Sequence, residues 1–154
     1  MGFLAQITVQ GKMFLRKLIS GTKDWDKSLP AEHRTECETW QDSLKDLRCL
    51  QIPRRCATEG LSAAVKEELH IFCDASEQVI PAVVYLTTES SSAVTEVKFV
   101  IGKAKVSPIH SHTIPHLELC TAVLATELYT IVKNQLDTYI DKAVFYSDSK
   151  VALG

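Results

Sequence analysis

At Glu68 the apolar residues change their spacing, and this limits the possible folds more than any other feature. Up to residue 60 they recur at three- and four-residue steps, as on one face of a helix: Phe3, Leu4 and Ile7, then Phe14, Leu15, Leu18 and Ile19. From Glu68 they alternate. In ELHIFCD, Leu69, Ile71 and Cys73 stand against His70, Phe72 and Asp74, the two-residue period of a half-buried strand. The chain therefore needs helices first and a sheet second.

The first helix is expected to end at Gly21. Ser28-Leu29-Pro30 opens a second, with Ser28 as its cap and Pro30 in its first turn. Trp40, Leu44 and Leu47 form the apolar stripe of that helix, and Pro53-Arg54-Arg55 breaks it, with a linker running through Ser62. After the strand at Glu68, AVVYLTT (82–88) is a second strand and ESSSA (89–93) a turn. TEVKFVIGK (95–103) is a third strand, alternating Val97, Phe99 and Ile101. Short connections make these three an antiparallel meander. Pro115 starts a long helix reaching about Gln135, with Leu117, Leu124, Leu128 and Ile131 as its core stripe. KAVFYSD (142–148) is a fourth strand. A strand that follows a helix of this length is expected to cross over and pair in parallel with the first.

Composition excludes several classes. The chain has 154 residues, 45% apolar and 23% charged, close to the globular average, so a core is within reach. A net charge of −2 argues against a strongly basic binding surface, though an acidic phosphodiester site remains compatible with it. The five cysteines are odd in number and widely spaced, without CxxC. That spacing disfavours a disulfide framework or a cysteine zinc site and fits a reducing compartment. No apolar run approaches a membrane span, and MGFLAQITVQGKMF lacks a signal peptide's apolar region. Gly2 is followed at position 6 by Gln6, against myristoylation.

Three acidic residues stand out by position. Asp74 closes the first strand (FCDAS), Glu118 lies in the first turn of the long helix (IPHLEL), and Asp148 closes the fourth strand (YSDSK). Singly, an Asp after a strand is usually a turn residue, and a Glu in a first helical turn favours the helix dipole. If strands one and four are parallel neighbours, however, both aspartates emerge at one sheet edge, where α/β folds place their sites. The helix can aim Glu118 at the same point. Clustered carboxylates repel unless cations neutralise them, and hard oxygen ligands favour Mg²⁺ or Mn²⁺. Two such ions, about 4 Å apart, can activate a water and stabilise the leaving oxygen of a phosphodiester. Two other patterns carry less. His110, His112 and His116 could suggest zinc but have no fourth ligand nearby, and a polar loop is the plainer reading. Cys73 adjoins Asp74, but alternation turns it inward as a structural thiol.

The runs ELHIFCDASEQ, KFVIGKAKVSP, TIPHLELCTAVLAT and VFYSDSKVALG, in that order, resemble the ribonuclease H region of BEL/Pao retrotransposon polyproteins. GKMFLRKL, DWDKSLP and the Trp40 helix are similar to the segment joining reverse transcriptase to that region. The order Asp–Glu–Asp, with Glu in the middle, is that of ribonuclease H; a transposase-type site brings its Glu last. The resemblance implies an α/β, ribonuclease H-like mixed sheet over residues 66–154, preceded by a helical connection segment over 1–62. The sheet would be the N-terminal half of its kind: antiparallel strands 1–3, a helix, then parallel strand 4. It also implies metal-dependent cleavage of RNA in RNA–DNA hybrids during reverse transcription. Asp74, Glu118 and Asp148 would be the catalytic carboxylates, holding two Mg²⁺ or Mn²⁺ ions. Ser76 and Ser149 would flank the site and touch the nucleic-acid backbone, and Lys150 would reach a phosphate. Expected partners are an RNA–DNA hybrid and the rest of a retrotransposon polyprotein. No membrane is expected, and the location would be intracellular, cytoplasmic or nuclear.

The sequence departs from the family's pattern in three places. Val79-Ile80-Pro81 replaces an aromatic and a glycine before the second strand, and His116 stands where arginine is favoured. The family also continues past SDSK with further helices, a fifth strand and a fourth acidic residue, so the domain is expected to be truncated and, as truncated, inactive. That leaves two alternatives to an enzyme: a catalytically inactive transposon remnant that binds nucleic acid or protein, and a host-adopted adaptor. The retained acidic trio argues against the adaptor.

Overall fold

The computed structural model describes residues 2–21, 26, 28, 30–52, 64–91, 94–108 and 113–150. A single 3-10 turn, Gly2–Leu4, leads into helix α1 (Ala5–Gly21); helix α2 (Ala31–Lys45) follows, then a turn at Asp46–Cys49. Pro30 is itself the N-cap of α2, and no side chain caps the helix. Ser28 therefore does not cap it: two residues upstream, its hydroxyl is outside the position that reaches the first-turn amides. The expected linker through Ser62 lies outside the described residues from position 53 onward.

Strands β1 (Ala64–Cys73), β2 (Val79–Ser90) and β3 (Thr95–Val106) precede helix α3 (Ile114–Gln135) and strand β4 (Lys142–Tyr146). They form one sheet in the order β3-β2-β1-β4. β1–β2 and β2–β3 are antiparallel, and β4 lies parallel to β1, with Phe72 opposite Tyr146. This is the mixed α/β sheet expected of a ribonuclease H-like fold.

One departure concerns β3. The register with β2 slips between Val84↔Ile101 and Tyr85↔Phe99, leaving Val100 as an extra residue. Directly opposed residues share a face. Ile101 therefore joins Val84 on the core side, whereas Phe99 joins Tyr85 on the other face, their ring centroids 5.8 Å apart. Val97, Phe99 and Ile101 thus do not form one alternating row.

The core lies between the sheet and α3. Leu69, Ile71, Val84 and Leu86 from the sheet meet Leu124, Ala125 and Leu128, all at 0–1% exposure. Ile131 is not in this stripe: it is 47% exposed. Val132 turns inward instead, because the buried positions 117, 121, 124, 125, 128 and 132 drift around the helix and leave Ile131 at the edge.

The helix α1 packs against β3 on the opposite face. Phe3 meets Phe99 at 4.0 Å between centroids, Val9 is buried, and the Arg16 guanidinium donates to the Ser107 carbonyl. The helix α2 leans on α1 through Trp40, whose Nε1 donates to the Ile7 carbonyl at 3.1 Å. A Cβ on Gly11 would come within 2.5 Å of the Trp40 ring. Gly11→Val should therefore separate α2 from α1. Its gain in helix propensity is a few tenths of a kcal/mol, whereas overpacking costs about 1–3 kcal/mol. The expected result is a lower melting temperature with red-shifted tryptophan emission; an unchanged melt and spectrum would contradict the packing.

Pro81 is the third residue of β2, inside the ladder rather than at its start. The pairing survives. Its carbonyl faces the β1 side, accepting from the Asp74 amide at 3.5 Å, and the β1 ladder has ended at Cys73↔Ala82. The missing N–H faces that same side, opposite Asp74 and just past the last β1–β2 pair, so no bond of the β2–β3 ladder is lost. The same carbonyl accepts from Thr121 Oγ1 at 2.7 Å, which ties α3 to the sheet beside the site.

At the other end of β1, Glu67 is buried at 3% exposure. Its Oε1 accepts from the Thr138 hydroxyl at 3.0 Å, while Oε2 has no partner among the described residues. Burial pushes this carboxyl up; the Thr138 bond opposes the shift, and the Asp141 charge adds to it. The folded chain thus holds the proton to higher pH than the unfolded one. Stability should be greatest below the ordinary glutamate range of about 4.3 and fall as pH rises through the raised folded value. Glu67→Gln should flatten this slope and add roughly 1 kcal/mol above the window, since no charge is then buried. Melting temperatures across pH for both chains test this; parallel curves would contradict it. Among the described residues no helix is long and apolar enough to cross a membrane.

Candidate active site

The C-terminal ends of β1 and β4 lie side by side because the two strands are parallel and in register. Alternation then sorts the next residues. On the face that bears α1, Phe72 and Tyr146 stack at 4.4 Å with planes 9° apart. Two residues beyond each ring stand Asp74 and Asp148, both exposed and both just past their strands, since β1 ends at Cys73 and β4 at Tyr146 rather than at Asp148 as expected. All four line one cavity of about 1260 Å³ that runs beneath Phe3 and Val9. Cys73, which also packs against the core, and Ser147 line the same cavity between them.

The thiol of Cys73 reports on this crowding. Burial pushes it up, a hydrogen bond with Ser147 opposes that, and the negative charges of Asp74 and Asp148 raise it further. Both aspartates are thus close enough to act on one group between them. A thiol held protonated is a poor nucleophile, in keeping with a structural Cys73.

Glu118 approaches from α3. Its Oε2 accepts a 2.7 Å hydrogen bond from Ser149 Oγ, and Ser149 is 2% exposed. The Ser149 amide in turn donates to Ser147 Oγ at 3.1 Å. Glu118 is therefore fastened to the residue next to Asp148, on the core side, whereas the two aspartates face the cavity. Among the described residues no three His, Cys, Asp or Glu side chains are grouped closely enough to hold a metal ion.

The other expected contacts divide. Lys150 is exposed beside Asp148. Ser76 spends its hydroxyl on its own turn, donating to the Val79 carbonyl at 3.1 Å and accepting from the Val79 amide at 3.0 Å. Ser149 is buried and directed at Glu118. His110 and His112 lie outside the described residues, and His116 Nε2 is 3.6 Å from Cys120 Sγ. Cys37, Cys49, Cys73 and Cys120 are free thiols. Three contributors escaped sequence reasoning: Ser147, Thr121 and the Phe72–Tyr146 pair. The pair was legible in principle, since each ring stands two residues before a carboxylate.

The donors suit a hard divalent cation in kind. Asp74 and Asp148 offer carboxylate oxygens at one cavity, and Mg²⁺ is commonly held by one or two carboxylates with waters completing its shell. Comparison with known proteins bears on the same point. No curated protein matches the chain. A family model described as Pao retrotransposon-like RNaseH-like domain matches residues 1–149, spanning both the helical segment and the sheet. Covering nearly all of the 154 residues, that match shows that the chain belongs to the Pao retrotransposon-like RNaseH-like domain family.

Proposed function

We propose that this chain is built for divalent-metal-dependent cleavage of the RNA strand in RNA–DNA hybrids, as part of a retrotransposon polyprotein. The observation that carries the reading is the pairing of Asp74 and Asp148 at adjacent parallel strand ends, with Glu118 tied to the same strand end. Asp74 and Asp148 would hold Mg²⁺ or Mn²⁺, and Glu118 would complete the set. The bound cations, two in number, would lower the pKa of a water and neutralise charge on the leaving oxygen.

The chain's own residues do the rest. The register of β1 with β4 sets the spacing of the two aspartates, and Thr121 anchors α3 against Pro81 so that Glu118 keeps its place. Lys150, one residue past the buried Ser149, would pair with a backbone phosphate. Choice of RNA over DNA would come from contacts to 2′-hydroxyls.

The test is incubation of the purified chain with an end-labelled RNA–DNA hybrid and with a DNA duplex, each with Mg²⁺, Mn²⁺ or EDTA. Cleavage confined to the hybrid's RNA strand and abolished by EDTA is expected. Hybrid binding without cleavage by a folded chain would favour the non-catalytic reading. The separation of Glu118 from the cavity face gives that second reading its footing.

A further inference from the structure

We infer that Ser149 is a positioning residue for Glu118, tying α3 to the strand end that carries Asp148. The inference rests on the metal-site reading above and assigns Ser149 a role inside the protein rather than on the nucleic acid. Three observations carry it. Ser149 is 2% exposed, so its hydroxyl is not a surface group. That hydroxyl donates to Glu118 Oε2 at 2.7 Å, a short bond to a carboxylate and so among the stronger kinds. The Ser149 amide donates to Ser147 Oγ, which fixes the backbone just beyond Asp148.

The pattern Ser-Asp-Ser at 147–149 therefore has a geometric meaning. Just past the end of β4, Ser147 and Asp148 line the cavity, whereas Ser149 is buried and reaches α3. A glutamate on a helix has several rotatable bonds. Bonding one oxygen removes much of that freedom and leaves Oε1 for a cation. Losing the bond would return the freedom and weaken metal binding without removing a ligand.

The experiment uses the full chain with Ser149→Ala and Ser149→Thr. Free Mn²⁺ is counted by electron paramagnetic resonance during titration, the Glu118 carboxyl carbon is followed by NMR without metal, and melting is recorded. Thr keeps the hydroxyl; Ala does not. The expected result is Mn²⁺ affinity lowered about tenfold in Ser149→Ala, the size of one charged hydrogen bond, and nearly restored in Ser149→Thr. The Glu118 resonance should move in the Ala variant and much less in the Thr variant, both chains staying folded. An unmoved resonance in Ser149→Ala would overturn the bond itself. A moved resonance with equal Mn²⁺ affinity in all three would overturn the positioning role and leave the metal site standing. No Mn²⁺ binding by the parent would sink the metal reading instead; the NMR comparison would still decide whether Ser149 sets the Glu118 carboxylate.

Discussion

Asp74→Asn is expected to lower metal-dependent cleavage of an RNA–DNA hybrid by about a thousandfold or more, while the chain melts at or slightly above the parent temperature. Asn keeps the shape and one oxygen but removes the charge that a hard cation requires. A metal acting on a phosphoryl oxygen supplies several kcal/mol of transition-state stabilisation, and each 1.36 kcal/mol is tenfold in rate, hence the estimate of roughly three decades. Stability should move the other way. Asp74 and Asp148 are like charges near one another, both felt by Cys73, and neutralising one relieves repulsion. The parent should also gain melting temperature when Mg²⁺ or Mn²⁺ is added, because a ligand that binds only the folded state stabilises it, and the variant should gain far less. Loss of cleavage with loss of folding would say nothing of catalysis, so melting and cleavage are measured on the same preparation. Undiminished cleavage in a folded Asp74→Asn chain would remove Asp74 from the site.

Leu69→Ala should cost about 2–5 kcal/mol, the range for deleting a buried leucine and leaving a cavity. Leu69 is 0% exposed, pairs with Leu86 on β2 and Ala143 on β4, and joins the cluster that includes Leu124 and Leu128. It is bound on both sides within the sheet and capped by α3, so little can collapse into the gap. Domains of this size are held by only about 5–15 kcal/mol, which makes one such change a large share of the total. A fall in melting temperature of roughly 10 °C follows from about 2–4 °C per kcal/mol. Val65→Ala is the control: Val65 is in the same strand but 69% exposed, so its loss should be nearly silent. Equal effects at the two positions would mean that β1 is not packed as described. Because β1 carries Asp74 at its end, Leu69→Ala should also weaken metal binding where it begins to loosen the strand.

Several features were legible because they depend on neighbours in the chain. The change of period at Glu68 marked where the sheet begins, although the strand starts earlier, at Ala64. The helix expected from Pro115 to about Gln135 is α3, Ile114–Gln135. The parallel pairing of β4 with β1 followed from the length of the intervening helix. The misses came from contacts that no window of sequence contains. Ser28 resembles a cap, but the α2 start is set by Pro30. Ile131 fits a helical period, but the stripe that α3 buries against the sheet runs through Leu128 and Val132. The alternation in β3 failed at Val100 because a bulge is a property of two strands, not one.

The candidate site divides the same way. Sequence alone brought Asp74 and Asp148 to the ends of two strands and Glu118 to the start of a helix, because such boundaries are local events, but it missed by a residue or two: β4 stops at Tyr146, and Glu118 falls just beyond the first turn of α3, which holds no acidic residue. Which face each carboxylate takes depends instead on how the elements pack. The register of β1 with β4 turns both aspartates toward the cavity beneath α1, and the buried Ser149 draws Glu118 to the core side. The physical reason is range. Propensity and periodicity act over a few residues, whereas a hydrogen bond between positions 118 and 149 exists only once α3 has packed across the sheet and the hydroxyl has left water.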